Sequence, residues 1–207
     1  MSDPRSQLVA AGYDAMIDTW EAWKARITGD PRDTWCAELI DRLPAGSRVV
    51  ELGCGGGTAE TRALAERFQL TAVDLSPAQL RRARARVPGA DYLLADLTTI
   101  ELRHGSLDAV AAFYVVNHVP RELLAPLFRR VHAWLRPGGP SLATLGATDL
   151  PGWTGDFLGA PSYFSGYPPE TNRRLLAEAG VTLLRDEVVT IREPEGDVSF
   201  HWVLGRT

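Results

Sequence analysis

Apolar residues recur at roughly helical intervals over residues 7–27, where Leu8, Tyr13, Ile17, Trp20 and Trp23 share related positions. Thr28-Gly29-Asp30-Pro31 interrupts that pattern and predicts a second helix running to about Leu43. At Arg48 the rhythm changes. Val49-Val50-Glu51-Leu52 is an apolar run entering the glycine cluster Gly53-Cys54-Gly55-Gly56-Gly57, which reads as a buried strand, a tight turn and a helix starting near Thr58. Beyond it the pattern predicts a helix over 60–68, a strand over 70–74 and a helix over 78–87, announced by Ser76 as N-cap and Pro77 at the first helical position. A third strand over 91–94 follows, and a fourth over 106–114 is apolar almost throughout, as a strand covered on both faces should be.

Next come a helix over 121–135, a strand over 141–145 and a helix over 170–179 closed by Gly180. Two strand-like runs, 181–191 and 198–204, flank Glu-Pro-Glu-Gly-Asp and predict an antiparallel hairpin with a five-residue turn. Strands alternating with helices imply a parallel sheet with crossover helices. The helices ahead of the first strand cannot extend such a sheet by alternation, so they are expected to lie across its ligand edge as a lid. Residues 148–169 read as a long irregular stretch in which Trp153, Phe157, Tyr163, Phe164 and Tyr167 alternate with glycines and prolines. Loops this long in a compact domain are usually functional, and five aromatics argue against disorder, so this stretch is assigned as a substrate wall.

Composition narrows the function. With 207 residues and 45% hydrophobic content the chain suits one domain with a sizeable core. A net charge of −4 offers no long-range attraction to phosphate backbones, so a nucleic-acid substrate is not expected. Arg81, Arg82, Arg84 and Arg86 read as the solvated face of a helix. No apolar stretch approaches the roughly 20 residues needed to span a bilayer, and the N-terminus carries no leader-like pattern, so a cytoplasmic location without membrane contact is the expectation. Cys36 and Cys54 lack paired or metal-binding spacing, and no metal is expected.

The glycine turn carries the candidate chemistry, because glycines let a ligand approach the backbone and a following helix offers free N–H groups. A dinucleotide fingerprint aligned on Gly53 and Gly55 would put Thr58 where its third glycine belongs. The alternative pattern Glu-x-Gly-x-Gly-x-Gly is filled at every position by Glu51, Gly53, Gly55 and Gly57. With Leu70-Thr71-Ala72-Val73-Asp74, Ala95-Asp96-Leu97 and the Leu135-Arg136-Pro137-Gly138-Gly139 turn, the chain resembles the class I S-adenosylmethionine (SAM)-dependent methyltransferases of small-molecule type.

That resemblance implies a doubly wound, Rossmann-like α/β sheet of seven strands in the order 3-2-1-4-5-7-6, the last strand antiparallel, with an N-terminal helical lid. It divides the single domain into a lid over 1–45, a SAM-binding core over 46–146, a substrate loop over 147–169 and a helix with C-terminal hairpin over 170–207. It also implies SAM as cofactor and S-adenosylhomocysteine (SAH) as product. Cofactor contacts carry over to Glu51, Gly53, Cys54 and Gly55 at the turn, to Asp74 and Leu75 at the ribose, to Asp96 and Leu97 at the adenine, and to Phe113, with Tyr13 and Trp20 reaching in from the lid. Trp23 is assigned to the core.

Methyl transfer needs alignment more than a nucleophilic residue. A base helps where the acceptor is a hydroxyl, phenol or protonated amine, and His118, beyond the fourth strand and titrating near neutrality, is the candidate. Asn117, Trp153, Tyr163, Phe164 and Tyr167 are the candidate acceptor contacts. Asn117-His118-Val119-Pro120 departs at two of four positions from the Asn/Asp-Pro-Pro-aromatic tetrad that the family uses on nucleic-acid bases or glutamine, which with the acidic charge points to a free small molecule, aromatic or apolar. A monomer or homodimer is expected. His104 and His132 are expected at the surface, and His201 in a structural role. A nicotinamide-dependent oxidoreductase and a catalytically silent SAM-binding or interaction protein remain the alternatives.

Overall fold

The computed structural model describes residues 3–207. Seven strands form one sheet: β1 (Arg48–Leu52), β2 (Gln69–Asp74), β3 (Asp91–Leu94), β4 (Ala109–Ala112), β5 (Pro140–Gly146), β8 (Thr182–Glu193) and β9 (Gly196–Arg206). Their order is β3-β2-β1-β4-β5-β9-β8, and β9 runs antiparallel to both of its neighbours. This is the expected seven-strand order; an additional pair, β6 (Leu150–Phe157) and β7 (Ala160–Gly166), lies outside the sheet and shifts the numbering.

Strand pleat sorts the core into two layers. Val50 and Leu52 of β1 and Val110 and Ala112 of β4 face α6 (Leu124–Trp134) and α7 (Pro169–Glu178). Val49 of β1 and Ala109 and Ala111 of β4 face Trp35, Leu39 and Leu64 of α3 (Arg32–Asp41) and α4 (Ala59–Arg67). Both faces are thereby covered, as the near-continuous apolar character of β1 and β4 requires. The order reverses between β1 and β4, and the crevice beyond their carboxyl ends is where ligands settle in such sheets.

The lid expected over 1–45 is corrected in two ways: α3 covers a sheet face instead of the ligand edge, and the single long helix that periodicity predicts ahead of it is broken. The lid consists of α1 (Pro4–Ala15) and α2 (Ile17–Lys24), separated at Met16. The chain turns there without stranding polar backbone, because Met16 N–H still bonds Gly12 C=O at 2.9 Å and Trp20 N–H bonds Met16 C=O at 2.7 Å. α1 also starts earlier than expected, where the Asp3 carboxylate caps it and Pro4 fills its first turn. α1 packs on β7 through Gly12, where an added Cβ would meet the Pro161 carbonyl at 2.3 Å.

Three further readings are corrected. The irregular stretch is the β6–β7 hairpin, turned by Leu158 and Gly159, both at positive φ as a tight two-residue hairpin requires. The final hairpin has a two-residue turn, Pro194-Glu195, since Glu193 pairs with Gly196. Among the arginines of α5 (Pro77–Arg86), Arg82 and Arg86 cross to α2, bonding Asp18 and Glu21 and holding the lid on the sheet edge.

Candidate active site

The glycine turn, the ends of β2 and β3, the 3₁₀ turn after β4, the lid and the β8–β9 tip enclose one cavity of about 390 Å³. A pocket of that size suits a small molecule or cofactor.

The cofactor half is built at the strand ends. Gly53 takes φ 72°, and a Cβ there would stand 2.4 Å from Val115, so both conformation and space require glycine. The Gly55 N–H donates to Asp74 Oδ2 at 2.8 Å and the Ser76 N–H to Oδ1 at 2.9 Å, which fixes the carboxylate at the end of β2. Burial nevertheless raises the Asp74 pKa, with those backbone bonds opposing. Also on the cavity wall, Asp96 Oδ1 accepts from the Thr98 N–H and hydroxyl, while its Oδ2 is buried without a partner. An orphaned acceptor costs free energy unless a ligand donates to it. The exocyclic amine of an adenine is such a donor. A glycine cradle, a fixed carboxylate and an unsatisfied acceptor on one wall therefore fit SAM.

Leu75, Leu97, Cys54 and Phe113 also line the cavity, as do Tyr13 and Trp20 from the lid. Glu51 does not. Its side chain points to the α3–α4 face beneath the turn, where the Thr61 hydroxyl donates to Oε1 at 3.1 Å, and burial pushes its pKa up to about 7.

His118 lines the cavity with both ring nitrogens engaged. Nδ1 lies 2.9 Å from the Tyr163 carbonyl, which can only accept, so Nδ1 carries the proton and Nε2 accepts from the Tyr13 hydroxyl at 2.9 Å. Burial pushes the imidazole pKa down to about 4, and it moves the Tyr13 phenol up, aided by the charges of Asp74 and Glu193. The pair is neutral at physiological pH. Titration near neutrality, expected of a histidine, is not what this environment produces.

Asn117 and Phe164 stand on the cavity wall. The other three acceptor candidates do not. Trp153 is 41% exposed and packs on Phe164 from outside, Tyr163 is buried under the Arg5 guanidinium, and Tyr167 is half-buried under Arg121. Within β7 the side chains alternate, so neighbouring aromatics cannot all face one ligand.

Sequence reasoning missed several wall residues. Trp23, assigned to the core, is buried but lines the cavity, stacked on Trp20 at 5.2 Å and edge-on to Phe157 at 5.5 Å. Tyr114, Glu193 and Phe200 also contribute, and Phe157, from the stretch assigned as the substrate wall, lines the cavity as expected there. Tyr114 sits at φ 56° where β4 ends, a strained conformation of the kind that clusters at functional sites. Glu193 and Phe200 lie on the expected β8–β9 hairpin, but it is the pairing of β9 with β5 that brings its tip to the cavity, and no local pattern announces that. The lid is tied to this tip by Trp23 Nε1–H donating to Glu195 at 2.8 Å and by a backbone bridge between Thr28 and Arg192. At its other end Asp14 accepts from the Ser76 hydroxyl and the Ala78 N–H.

Cys36 and Cys54 are free and buried; His201 is buried against Asp186. His104 is exposed, whereas His132 is half-buried against Gly180. Among the described residues no helix is long and apolar enough to cross a membrane.

Comparison with known proteins adds three findings. Residues 49–139 match the family described as "Methyltransferase domain". A trans-aconitate 2-methyltransferase of Variovorax paradoxus is 38% identical over 130 residues, covering 60% of this chain and 48% of that protein. The chain thus spans about half the length of the curated relatives it matches. Among solved structures, the [4+2]-cyclase SpnF superposes with a TM-score of 0.75 at 17% identity over 100% of this chain and 97% of its own. Burkholderia thailandensis 1,6-didemethyltoxoflavin-N1-methyltransferase does so with 0.69 at 19% over 100% and 91%. At such identities these likenesses establish the fold.

Proposed function

The chain belongs to the class I SAM-dependent methyltransferase family, and on that premise we propose that it methylates a small-molecule acceptor held in the second half of the cavity. The observation that carries this reading is the buried, unpartnered Asp96 Oδ2 sharing one cavity with the glycine turn and Asp74. Asp74 would hold the ribose hydroxyls, Asp96 the adenine amine, and the turn at Gly53 and Gly55 would lie against the methionine end. The cofactor, when bound, supplies an already activated methyl group on a sulfonium.

What remains for the protein is alignment and exclusion of water, and alignment can contribute about 7–11 kcal/mol in favourable cases. Trp20, Trp23 and Phe157 form a packed apolar roof suited to that task. His118 acts on this geometry through Tyr13, whose hydroxyl it holds at the boundary between the two halves. It is a positioning residue rather than a base in direct contact with the acceptor.

A nicotinamide cofactor suits the turn less well. Thr58, at the place of the third fingerprint glycine, is the N-cap of α4 and exchanges reciprocal bonds with Thr61. The acceptor class also departs from one named relative, a methyltransferase of the polycarboxylate trans-aconitate. Lys24 and Arg32, the cations on this wall, are already paired with Glu21 and Asp30.

Calorimetric titration with SAH, with NAD as control, tests the reading. Micromolar or tighter SAH binding without NAD binding is expected. Binding of NAD in its place would overturn the assignment.

A further inference from the structure

The acceptor half of the cavity, whose role rests on the methyltransferase reading above, holds an ionisable group with no assigned function. Glu193 ends β8 beside the two-residue turn and faces the cavity, half-buried. Among the described residues its carboxylate takes part in none of the hydrogen bonds or ion pairs that occupy Glu195, Lys24 and Arg32 around it. The wall beside it is aromatic: Trp23 meets Phe157 at 5.5 Å, Phe157 meets Phe164 at 5.3 Å, and Phe200 adds a further face. On the hairpin itself Arg192 is paired with Asp197, and two phenols of the cavity wall also feel the Glu193 charge. That charge helps keep both Tyr13 and Tyr114 protonated, and the hydroxyl of Tyr114 is already donated to Asp30 at 2.8 Å.

A half-buried carboxylate with no protein donor, on a cavity wall shared with aromatic rings, favours a ligand that brings one. It repels a ligand carboxylate, and the paired cations nearby cannot compensate. We propose that Glu193 receives the O–H or N–H of the acceptor atom on a ring or other apolar body, and removes its proton. The balance is simple: the acceptor's O–H or N–H bond breaks, an O–H bond forms on the carboxylate, and the electron pair stays on the acceptor atom, which is thereby made nucleophilic. Burial, with the charge of Glu195, pushes the Glu193 pKa up to about 7, where a carboxylate can take a proton and release it again near neutral pH.

The test is calorimetry on the SAH-saturated protein above neutral pH, with 4-methylphenol, benzylamine and 4-methylbenzoate as probes. In the wild type, 4-methylphenol or benzylamine should bind roughly tenfold tighter than 4-methylbenzoate, and in Glu193→Gln that preference should fall to within about threefold with SAH affinity unchanged. The probe that loses affinity identifies the donor as hydroxyl or ammonium. Equal preference in the two proteins, tighter binding of 4-methylbenzoate by the wild type, or no binding of any probe to SAH-saturated protein would each overturn the proposal. The wild-type ranking stands by itself should the variant fold poorly. Failure of SAH to bind the wild type would instead refute the methyltransferase reading.

Discussion

The hydrogen-bond chain from Tyr13 through His118 to the Tyr163 carbonyl shows how far an environment can move a side chain from its usual chemistry. Because the folded pKa of His118 lies near 4, below the ordinary 6.5, its neutral form contributes stability that is complete above about pH 6.5 and lost as the pH falls toward 4. Glu51, raised to about 7, works in the opposite sense between roughly pH 4.5 and 7. Comparing urea unfolding at pH 7.5 and pH 5 in the wild type and in His118→Gln separates the two. The wild type should lose about 2 kcal/mol more than the variant; equal losses would mean that His118 titrates normally. Asp96→Asn keeps the oxygen that binds Thr98 and replaces the orphaned one, so SAH affinity should fall by about 1–3 kcal/mol with little change in melting temperature. Unchanged affinity would remove Asp96 from the cofactor contacts. Asp74 and Asp96 were legible in the sequence because each follows a recognisable strand. Glu51 was legible as part of the turn, but its facing was not: a strand residue's side is set by register against neighbours far along the chain.

At the scale of elements, the lid is held by contacts of different kinds at its two ends. Asp14 caps the start of α5, and Trp23 and Thr28 reach the β8–β9 tip. Asp14→Ala should therefore raise the hydrogen-exchange rates of α1 and α2 while leaving β1 and β4 protected, a local loss of about 1–2 kcal/mol. Uniform loss of protection across the sheet would show that the lid is not a separate cooperative unit. Gly12→Ala drives a Cβ against a backbone carbonyl that cannot rotate away, and should cost about 1–3 kcal/mol in global stability, measured by urea unfolding. Helical periodicity located the N-terminal helices, and the Ser76-Pro77 cap located the start of α5 within a residue. The β6–β7 hairpin escaped notice because glycines and prolines break its alternation, and its turn is made by Leu158, a residue seldom found at positive φ. The arginines of α5 show the same limit, since a charged face reads as solvated until its partners on another helix are known.

For the molecule as a whole, strand order followed from the alternation of elements and the family resemblance, and the sheet bears it out. The part of the cavity we assign to the acceptor was far less legible, because it is assembled from α2, the β6–β7 hairpin and the β8–β9 tip, segments that meet only in three dimensions. A cavity closed by α1 and α2 on one side and by the β8–β9 tip on the other should make ligand binding a global event. Saturation with SAH at a hundred times its dissociation constant should stabilise the fold by about 2.7 kcal/mol, raising the melting temperature by roughly 5–10 °C. No shift despite measurable binding would place the ligand outside this cavity. The contact between Trp23 and Glu195 has one more consequence, for synthesis rather than chemistry. The two residues are 172 positions apart. At ribosomal rates of about 5–20 residues per second, the lid emerges roughly ten to thirty seconds before the hairpin tip that pins it. Through that interval the aromatic side chains of α2 await the partners that β8 and β9 supply, so the lid's closure over the nascent fold is timed by translation.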